Sequence, residues 1–244
     1  MQLPPGWQLP EAIRSRLGER SGKQRAMIAE GHLLLILHKL PRPDDSEREG
    51  AFFWREPDGD WHWNGGGGGL NALKNHLATY DSAVDALDAQ YDAAQSATEL
   101  FRVLEAIVPV HRAAKNMHAA LQAAREGMPD VPELISARDT AGDIERASEI
   151  LEIDAKNAID YRIAKQAEEQ GRLTYEMTRA GHRLNFLAAI FLPLTAVASV
   201  FGMSLPSGLE NSPTWVFWSV LLFGLLLGIV IRGMLLSGNE PKQK

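Results

Sequence analysis

Two long runs of the chain carry no charge. One extends from Leu184 to Met203 and the other from Pro213 to Ile231, while residues 1–183 hold almost all the acidic and basic side chains. Each run is close to the ~20 apolar residues that a helix needs to cross the hydrocarbon core of a bilayer. Each is also apolar all round, where a helix on the surface of a soluble domain keeps a polar face. The pattern predicts two transmembrane helices, 184–203 and 215–236, joined by an external loop over 204–214 and followed by a tail, 237–244.

Ahead of the spans the periodicity changes several times. Residues 1–24 are polar and rich in Pro and Gly, and predict a loosely ordered arm with a short helix around Glu11–Leu17. Residues 25–64 carry strand signals: the run Leu33–Leu37, the aromatic segment Ala51–Arg55 and the returning Trp61–Trp63. Asp58-Gly59 between the last two predicts a hairpin with a type I′ turn, whose two central residues need positive φ. Alternation would place Phe53, Trp61 and Trp63 on one face of a small antiparallel sheet of three or four strands. The five glycines Gly65–Gly69 have two readings: a phosphate-cradling nest, which would need the lysine and hydroxyl of a P-loop, or a hinge. Lacking those partners, they read as a hinge that opens a helical region, 65–132.

In that region Leu70, Leu73, Leu77, Tyr80, Val84, Leu87 and Tyr91 recur at three- and four-residue steps. Pro109 is expected to break or kink the run, with a second helix over Val110–Glu126. From about Glu133 no proline interrupts the chain until Pro193, which predicts a stalk helix, 133–183, continuing into the first span. Such a helix is on the order of 100 Å long at ~1.5 Å per residue and needs partners along its length. Ile144, Ala147, Leu151, Ala155 and Ala158 form a narrow seam. That seam fits a symmetric homo-oligomer, packing on the preceding helices of the same chain, or both together. The fold class that follows is an α-helical membrane protein with a small antiparallel β-containing cytoplasmic domain, its stalk helix continuous with the first of two transmembrane helices, in a homo-oligomer.

Composition narrows the function. The formal charge of −6 argues against nucleic acid as a partner and is compatible with a cation. The chain has no cysteine, which excludes disulfides, thiolate metal sites and a cysteine nucleophile. Residues 1–10 are too polar for a signal peptide. No Ser-His-Asp order, HExxH or P-loop is present, so the chain is not read as an enzyme and no cofactor is expected. Arg172, Arg179, His182 and Arg183 precede the first span, and Arg232, Lys242 and Lys244 follow the second. The connector has no Lys or Arg. The positive-inside rule then puts both termini in the cytoplasm of a multi-pass protein of the cell membrane. Trp215 and Trp218 stand where an interfacial aromatic belt would lie.

The first span carries the candidate chemistry. Leu184, Ala188, Leu192, Thr195, Ser199 and Gly202 share one face, alternating apolar closures with small polar groups. Such a face suits a pore lining or a tight helix interface; an inert hairpin anchor is the plainer alternative.

The segment from Asn185 to Ser204 resembles the first transmembrane segment of the CorA family of magnesium channels. Pro193-Leu194-Thr195 stands nine residues before Gly202-Met203-Ser204, the spacing that family keeps between its Pro-Leu-Thr element and its Gly-Met-Asn signature. The resemblance covers roughly residues 180–236. It implies a homopentameric funnel with Leu184 and Leu192 as apolar constrictions, Thr195, Ser199 and Gly202 as polar or backbone contacts, and Gly202, Met203 and Ser204 as the selectivity motif. Mg²⁺ sheds water reluctantly, so a first filter must hydrogen-bond its water shell. Here Ser204 replaces the asparagine that does this in the family, which implies a wider and weaker filter. The external loop offers one carboxylate, Glu210.

The expected function is a channel or transporter for divalent cations, Mg²⁺ foremost, with Co²⁺, Ni²⁺ and Zn²⁺ as further candidates. The rival is a membrane effector or sensor on the same scaffold, non-selective or non-conducting and controlled by its cytoplasmic domain. Two lesser expectations concern metal ligands. Of the stalk carboxylates Glu133, Asp139, Asp143, Glu145, Glu149, Glu152 and Asp154, the set Asp139, Asp143 and Glu149 is the candidate regulatory site for a divalent cation between protomers, a gating role the resemblance implies. His111 and His118, seven residues apart, lack a carboxylate at metal spacing in sequence and read as a surface pair.

Overall fold

A computed structural model describes residues 3–19, 22–42, 48–201 and 213–237. The elements follow the order α1 (Glu11–Arg14), β1 (Arg25–Ala29), β2 (His32–His38), β3 (Gly50–Arg55), β4 (Trp61–Trp63), α2 (Gly69–Ala93), α3 (Ala97–Gly127), α4 (Pro132–Phe201) and α5 (Thr214–Ser237). The chain divides into two compact units, Met1–Ala164 and Lys165–Lys244, and α4 contributes to both.

The first unit is built on an antiparallel meander, β1-β2-β3-β4. β2 is buried on both sides. Leu33, Leu35 and Leu37 enter one hydrophobic cluster with α2, α3 and α4, while Leu34 and Ile36 enter another beneath the N-terminal segment. A strand covered on both faces needs a continuous apolar run rather than an alternating one, which is what Leu33–Leu37 supplies. The arm expected to be loosely ordered is in fact packed down. Leu9 and Ile13 are buried with Met27, Phe52 and Trp54. A sheet face carrying that much aromatic surface would otherwise stand in water, and each such side chain gains roughly 1.5–3 kcal/mol by burial.

The turns differ from expectation in an instructive way. The type I′ geometry belongs to Glu30-Gly31, at φ 52° and 78°, between β1 and β2, where Ala29 pairs with His32. At Asp58-Gly59 only the glycine has positive φ, at 106°. Gly59 N donates to Glu56 O at 3.1 Å and Glu56 N to Asp60 O at 2.9 Å. This is a three-residue loop, a type I turn closed by a glycine bulge. Pro57 opposes the two-residue form, because it would then flank the turn and has no N–H to donate to Asp60 O, a bond that Glu56 N makes instead.

The five glycines are more than a hinge. A Cβ at Gly69 would stand 2.4 Å from His62 N and from Trp61 C, so the first turn of α2 can approach β4 only without a side chain. Gly66 and Gly67 sit at φ 83°, a conformation that costs other residues dearly.

Pro109 does not end a helix; it lies inside α3. The chain breaks earlier, between Ala93 and Ala97. Ser96 forms a capping box: its side chain accepts from Glu99 N at 3.2 Å, and Glu99 Oε2 accepts from Ser96 N at 3.0 Å and Gln95 N at 2.7 Å. The proline costs a helix interior ~3 kcal/mol. That cost is outweighed by one continuous buried face, which includes Leu100, Val103, Ile107, Val110 and Met117, at roughly 1.5–3 kcal/mol per large side chain. Pro132 opens α4, the helical position where its missing N–H costs nothing.

The seam on α4 is largely an intramolecular one. Ile144, Leu151 and Ala155 are buried in the core of the same unit. Two His–Glu pairs join α3 to α4: His111 Nδ1 with Glu152 Oε2 and His118 Nδ1 with Glu145 Oε2, both 2.6 Å. Arg162 Nη2 donates to Ala94 O at 2.8 Å, capping the end of α2. The opposite side of α4 exposes Ile150, Ile153 and Tyr161.

Between β3 and α2, His76 packs against Phe53 and Tyr80. Its Nε2 is buried without a hydrogen-bond partner. Burial, reinforced by the neighbouring charges of His38 and Lys39, holds its pKa down to about 4. Tyr80 is fully buried and donates its hydroxyl to the carbonyls of His38 and Lys39 at 3.0 and 3.1 Å.

Among the described residues no helix is long and apolar enough to cross a membrane. The charge-free run that begins at Leu184 in α4 continues to Met203, beyond the last described residue of that helix.

Candidate functional site

In the second unit α5 packs on the later part of α4 through glycine. Gly224 and Gly228, one turn apart on α5, are both buried. A Cβ at Gly228 would stand 3.1 Å from Ala189 O and 3.5 Å from Ile190 Cα, so the two backbones meet directly. Pairs of small residues four apart permit that approach in helices without a water-driven core. The atom met is informative. Pro193 has no N–H to give to the carbonyl four residues earlier, which leaves Ala189 O without its helical donor. Gly228 is the residue whose missing side chain leaves room beside that oxygen.

The α4 residues that α5 approaches, and their neighbours Pro193 and Leu194, are half-buried. Leu184 and Leu192, each 68% exposed, together with Thr195 and Ser199, lie open on the single chain. At about 100° per residue these four fall on a different side of α4 from Ala189 and Pro193. The Thr195 hydroxyl donates to Phe191 O at 2.7 Å; a hydroxyl so engaged keeps its lone pairs as acceptors. The predicted pore residues of this segment thus share an uncovered face. Gly202, Met203, Ser204 and Glu210 lie outside the described residues.

The carboxylates proposed as a regulatory site are not gathered. Asp139, Asp143 and Glu149 are exposed, and among the described residues no group of three His, Asp or Glu side chains could hold a metal ion. Asp139 and Asp143 are one turn apart, whereas Glu149 comes six residues after Asp143 and so points to another side of the helix. His111 and His118, expected as a surface pair, are half-buried and each bound to a glutamate of α4. The signal for this was present: Glu145 and Glu152 repeat the same seven-residue spacing, and two seven-residue stripes on antiparallel helices meet in pairs.

The family described as CorA-like Mg²⁺ transporter protein matches residues 70–235, more than half of the chain. The chain belongs to that family. Among solved structures it is similar to the ZntB cytoplasmic domain from Vibrio parahaemolyticus, at TM-score 0.50 and 10% identity over 66% of this chain and 80% of that one. It is also similar to full-length CmaX, at TM-score 0.49 and 14% identity over 92% and 82%, and to the CorA magnesium transporter from Methanocaldococcus jannaschii, at TM-score 0.35 and 13% identity over 88% and 79%. No curated protein matches the sequence. The first likeness establishes a shared fold for the sheet-and-helix region.

Proposed function

We propose that this chain is a homo-oligomeric membrane channel for divalent cations, with the later part of α4 lining the pathway. Family membership supports cation transport. The observation that carries the rest is the uncovered face of Leu184, Leu192, Thr195 and Ser199, on a helix whose other side is taken up by α5. Apolar and hydroxyl side chains left open in a charge-free segment call for copies of themselves, and a ring of such faces would form the pathway. Ile150, Ile153 and Tyr161, exposed on α4 of the first unit, give the oligomer a second apolar contact. In this reading residues 184–203 and 215–236 span the cell membrane with both termini cytoplasmic. Gly202-Met203-Ser204 forms the outer filter near Glu210, and five subunits surround the axis. Mg²⁺ is the leading substrate, ahead of Co²⁺, Ni²⁺ and Zn²⁺.

The test is divalent-cation flux into proteoliposomes containing the purified chain, compared with protein-free vesicles. Selective uptake is expected. Thr195→Lys should abolish it while leaving the oligomer intact, because a ring of ammonium groups in a narrow pathway repels every cation. Unchanged flux in that variant would remove Thr195 from the pathway. A second reading, a non-selective or non-conducting effector or sensor, is favoured by one observation: Ser204 stands where the family keeps asparagine. Ser204→Asn separates the two, since it sharpens Mg²⁺ selectivity in a working pore and does nothing in a vestigial one.

A further inference from the structure

The later part of α4 carries its charges on one side. It is helical throughout, and at about 100° per residue every Lys, Arg, Asp and Glu from Lys165 to Arg183 falls within an arc about 100° wide. The middle of that arc lies about 150° round the helix from the middle of the face formed by Leu184, Leu192, Thr195 and Ser199. Along the arc the sign changes. Lys165 and Arg172 alternate with Glu168, Glu169 and Glu176, and their charges offset one another. After Glu176 only Arg179 and Arg183 remain, and no acid follows them in α4. Both arginines are exposed, and among the described residues neither makes an ion pair or a side-chain hydrogen bond. They stand about one turn apart, ~6 Å along the axis, and Arg183 immediately precedes the charge-free run that begins at Leu184.

Two uncompensated guanidinium groups beside a cation pathway would oppose the ion if they faced it. Helical spacing turns them the other way, toward the periphery of the assembly. At the edge of a membrane-spanning segment that periphery is the headgroup layer on the cytoplasmic side. A guanidinium presents a planar fork of donors that matches two phosphate oxygens at once, and its long apolar stem lets the charged head reach the interface from a helix end. An anionic phospholipid adds net negative charge to that phosphate, whereas a zwitterionic one brings its own ammonium beside it. A soluble acidic segment carries the same sign, but it would have to displace lipid phosphates that already stand at this level. The occupant that position and charge together select is therefore a lipid.

We propose that Arg179 and Arg183 hold the headgroup phosphate of an anionic phospholipid on the side of α4 turned away from the pathway. The proposal rests on the membrane-spanning reading given above. The experiment equilibrates the purified full-length chain with detergent micelles holding equal amounts of dioleoylphosphatidylglycerol and dioleoylphosphatidylcholine, re-isolates it and measures the two lipids retained. Their acyl chains are the same, so only the headgroup decides. Phosphatidylglycerol should be enriched at least about tenfold, from about fivefold for each basic residue at an anionic surface. The double variant Arg179→Gln/Arg183→Gln should bring the two lipids within about twofold of each other. Lys165→Gln/Arg172→Gln removes the same charge further from the boundary and should leave the enrichment as it is in the parent. Raising the salt from about 0.1 M to 1 M should reduce the enrichment in the parent chain without any substitution. Millimolar inorganic phosphate should not displace the lipid. The proposal is overturned by equal retention of the two lipids, by enrichment that survives Arg179→Gln/Arg183→Gln, by an equal loss in Lys165→Gln/Arg172→Gln, or by displacement with inorganic phosphate, which would make this a site for the free anion. Divalent-cation flux measured on the same preparation separates the two readings. Enrichment without flux removes the channel and keeps the lipid site, and flux without enrichment does the reverse.

Discussion

The two compact units use their apolar residues in opposite ways. In the first, the large side chains turn inward: Leu33–Leu37, Phe53, Tyr80, Ile107 and Met117 are almost wholly buried within one chain. In the second, the large side chains stand open, including Leu192 at 68% and Trp215, Phe217 and Phe223 at about two-thirds exposed, while the buried positions of α5 among the described residues are Gly224 and Gly228. Water would not tolerate the second pattern, and lipid or further copies of the chain would. The first unit is therefore held by the hydrophobic effect acting within a protomer. The second is held by backbone-to-backbone packing and needs surroundings to complete it.

That contrast is broken most directly at Gly228. Gly228→Leu places a side chain where Ala189 O and Ile190 Cα already lie, within about 3.5 Å of the new Cβ. Backbone cannot move aside as a flexible side chain can, so the expected penalty is about 3 kcal/mol, the upper part of the overpacking range. Flux in proteoliposomes should fall sharply, whereas thermal melting of the first unit, followed by near-ultraviolet dichroism, should not move. If both change together, the two units do not depend on different forces. Gly228→Ala tests the same contact with the smallest possible intrusion.

His76 sharpens the contrast from the other side, since burial among Phe53 and Tyr80 keeps its imidazole uncharged at a pH where a free one carries a proton. Its folded pKa is about 4, against 6.5 for the free group. Between those values the unfolded chain binds the proton and the folded chain does not, so stability falls as the pH is lowered from about 6.5 toward 4. The full effect is on the order of 3 kcal/mol, from about 1.4 kcal/mol per unit of pKa. His76→Phe removes the buried unpaired nitrogen and keeps the ring contacts with Phe53 and Tyr80. Denaturation midpoints measured at neutral pH and at pH ~4.5 should diverge less in the variant than in the parent. An identical slope would place the acid sensitivity elsewhere, with His38 the next candidate, because burial lowers its pKa as well.

Much of the helical architecture was legible because it rests on local signals. The apolar steps from Leu70 to Val84 and the proline-free stretch after Pro132 are periodic over many turns, and both are helices. The antiparallel sheet was legible too, though its first hairpin was not, because Glu30-Gly31 is an uncommon version of the type I′ signature. The misplaced break at Pro109 has a plain cause. A proline advertises a local cost, whereas the face that outweighs it, from Leu100 to Met117, is assembled only in three dimensions. The candidate site divides in the same way. Leu184, Leu192, Thr195 and Ser199 share a face because helical spacing alone puts them there. The packing of Gly228 on Ala189 and of Trp7 on Trp54 required two elements to be brought together, and no spacing within one segment announces that.

The smallest expected effect belongs to the break between α2 and α3, where the sequence held a signal that the proline overshadowed. Ser96 and Glu99 satisfy each other's backbone amides, and Glu99 is held below the usual carboxylate range, first by the Gln95 amide and then by that of Ser96. Ser96→Ala should cost about 1 kcal/mol, read as a shift in the denaturation midpoint of the first unit with flux intact. Glu99→Gln should resemble it at neutral pH. The difference between Glu99→Gln and the parent should shrink as the pH falls through the depressed pKa of Glu99, because the stabilising carboxylate is then protonated in the parent also. If Ser96→Ala leaves the midpoint unmoved, the break is held from outside the loop. Arg162 is the residue that would hold it, since its guanidinium caps Ala94 from α4. Arg162→Gln should then carry the loss that Ser96→Ala did not, and the turn between α2 and α3 would be a consequence of where α4 lies rather than of its own capping box.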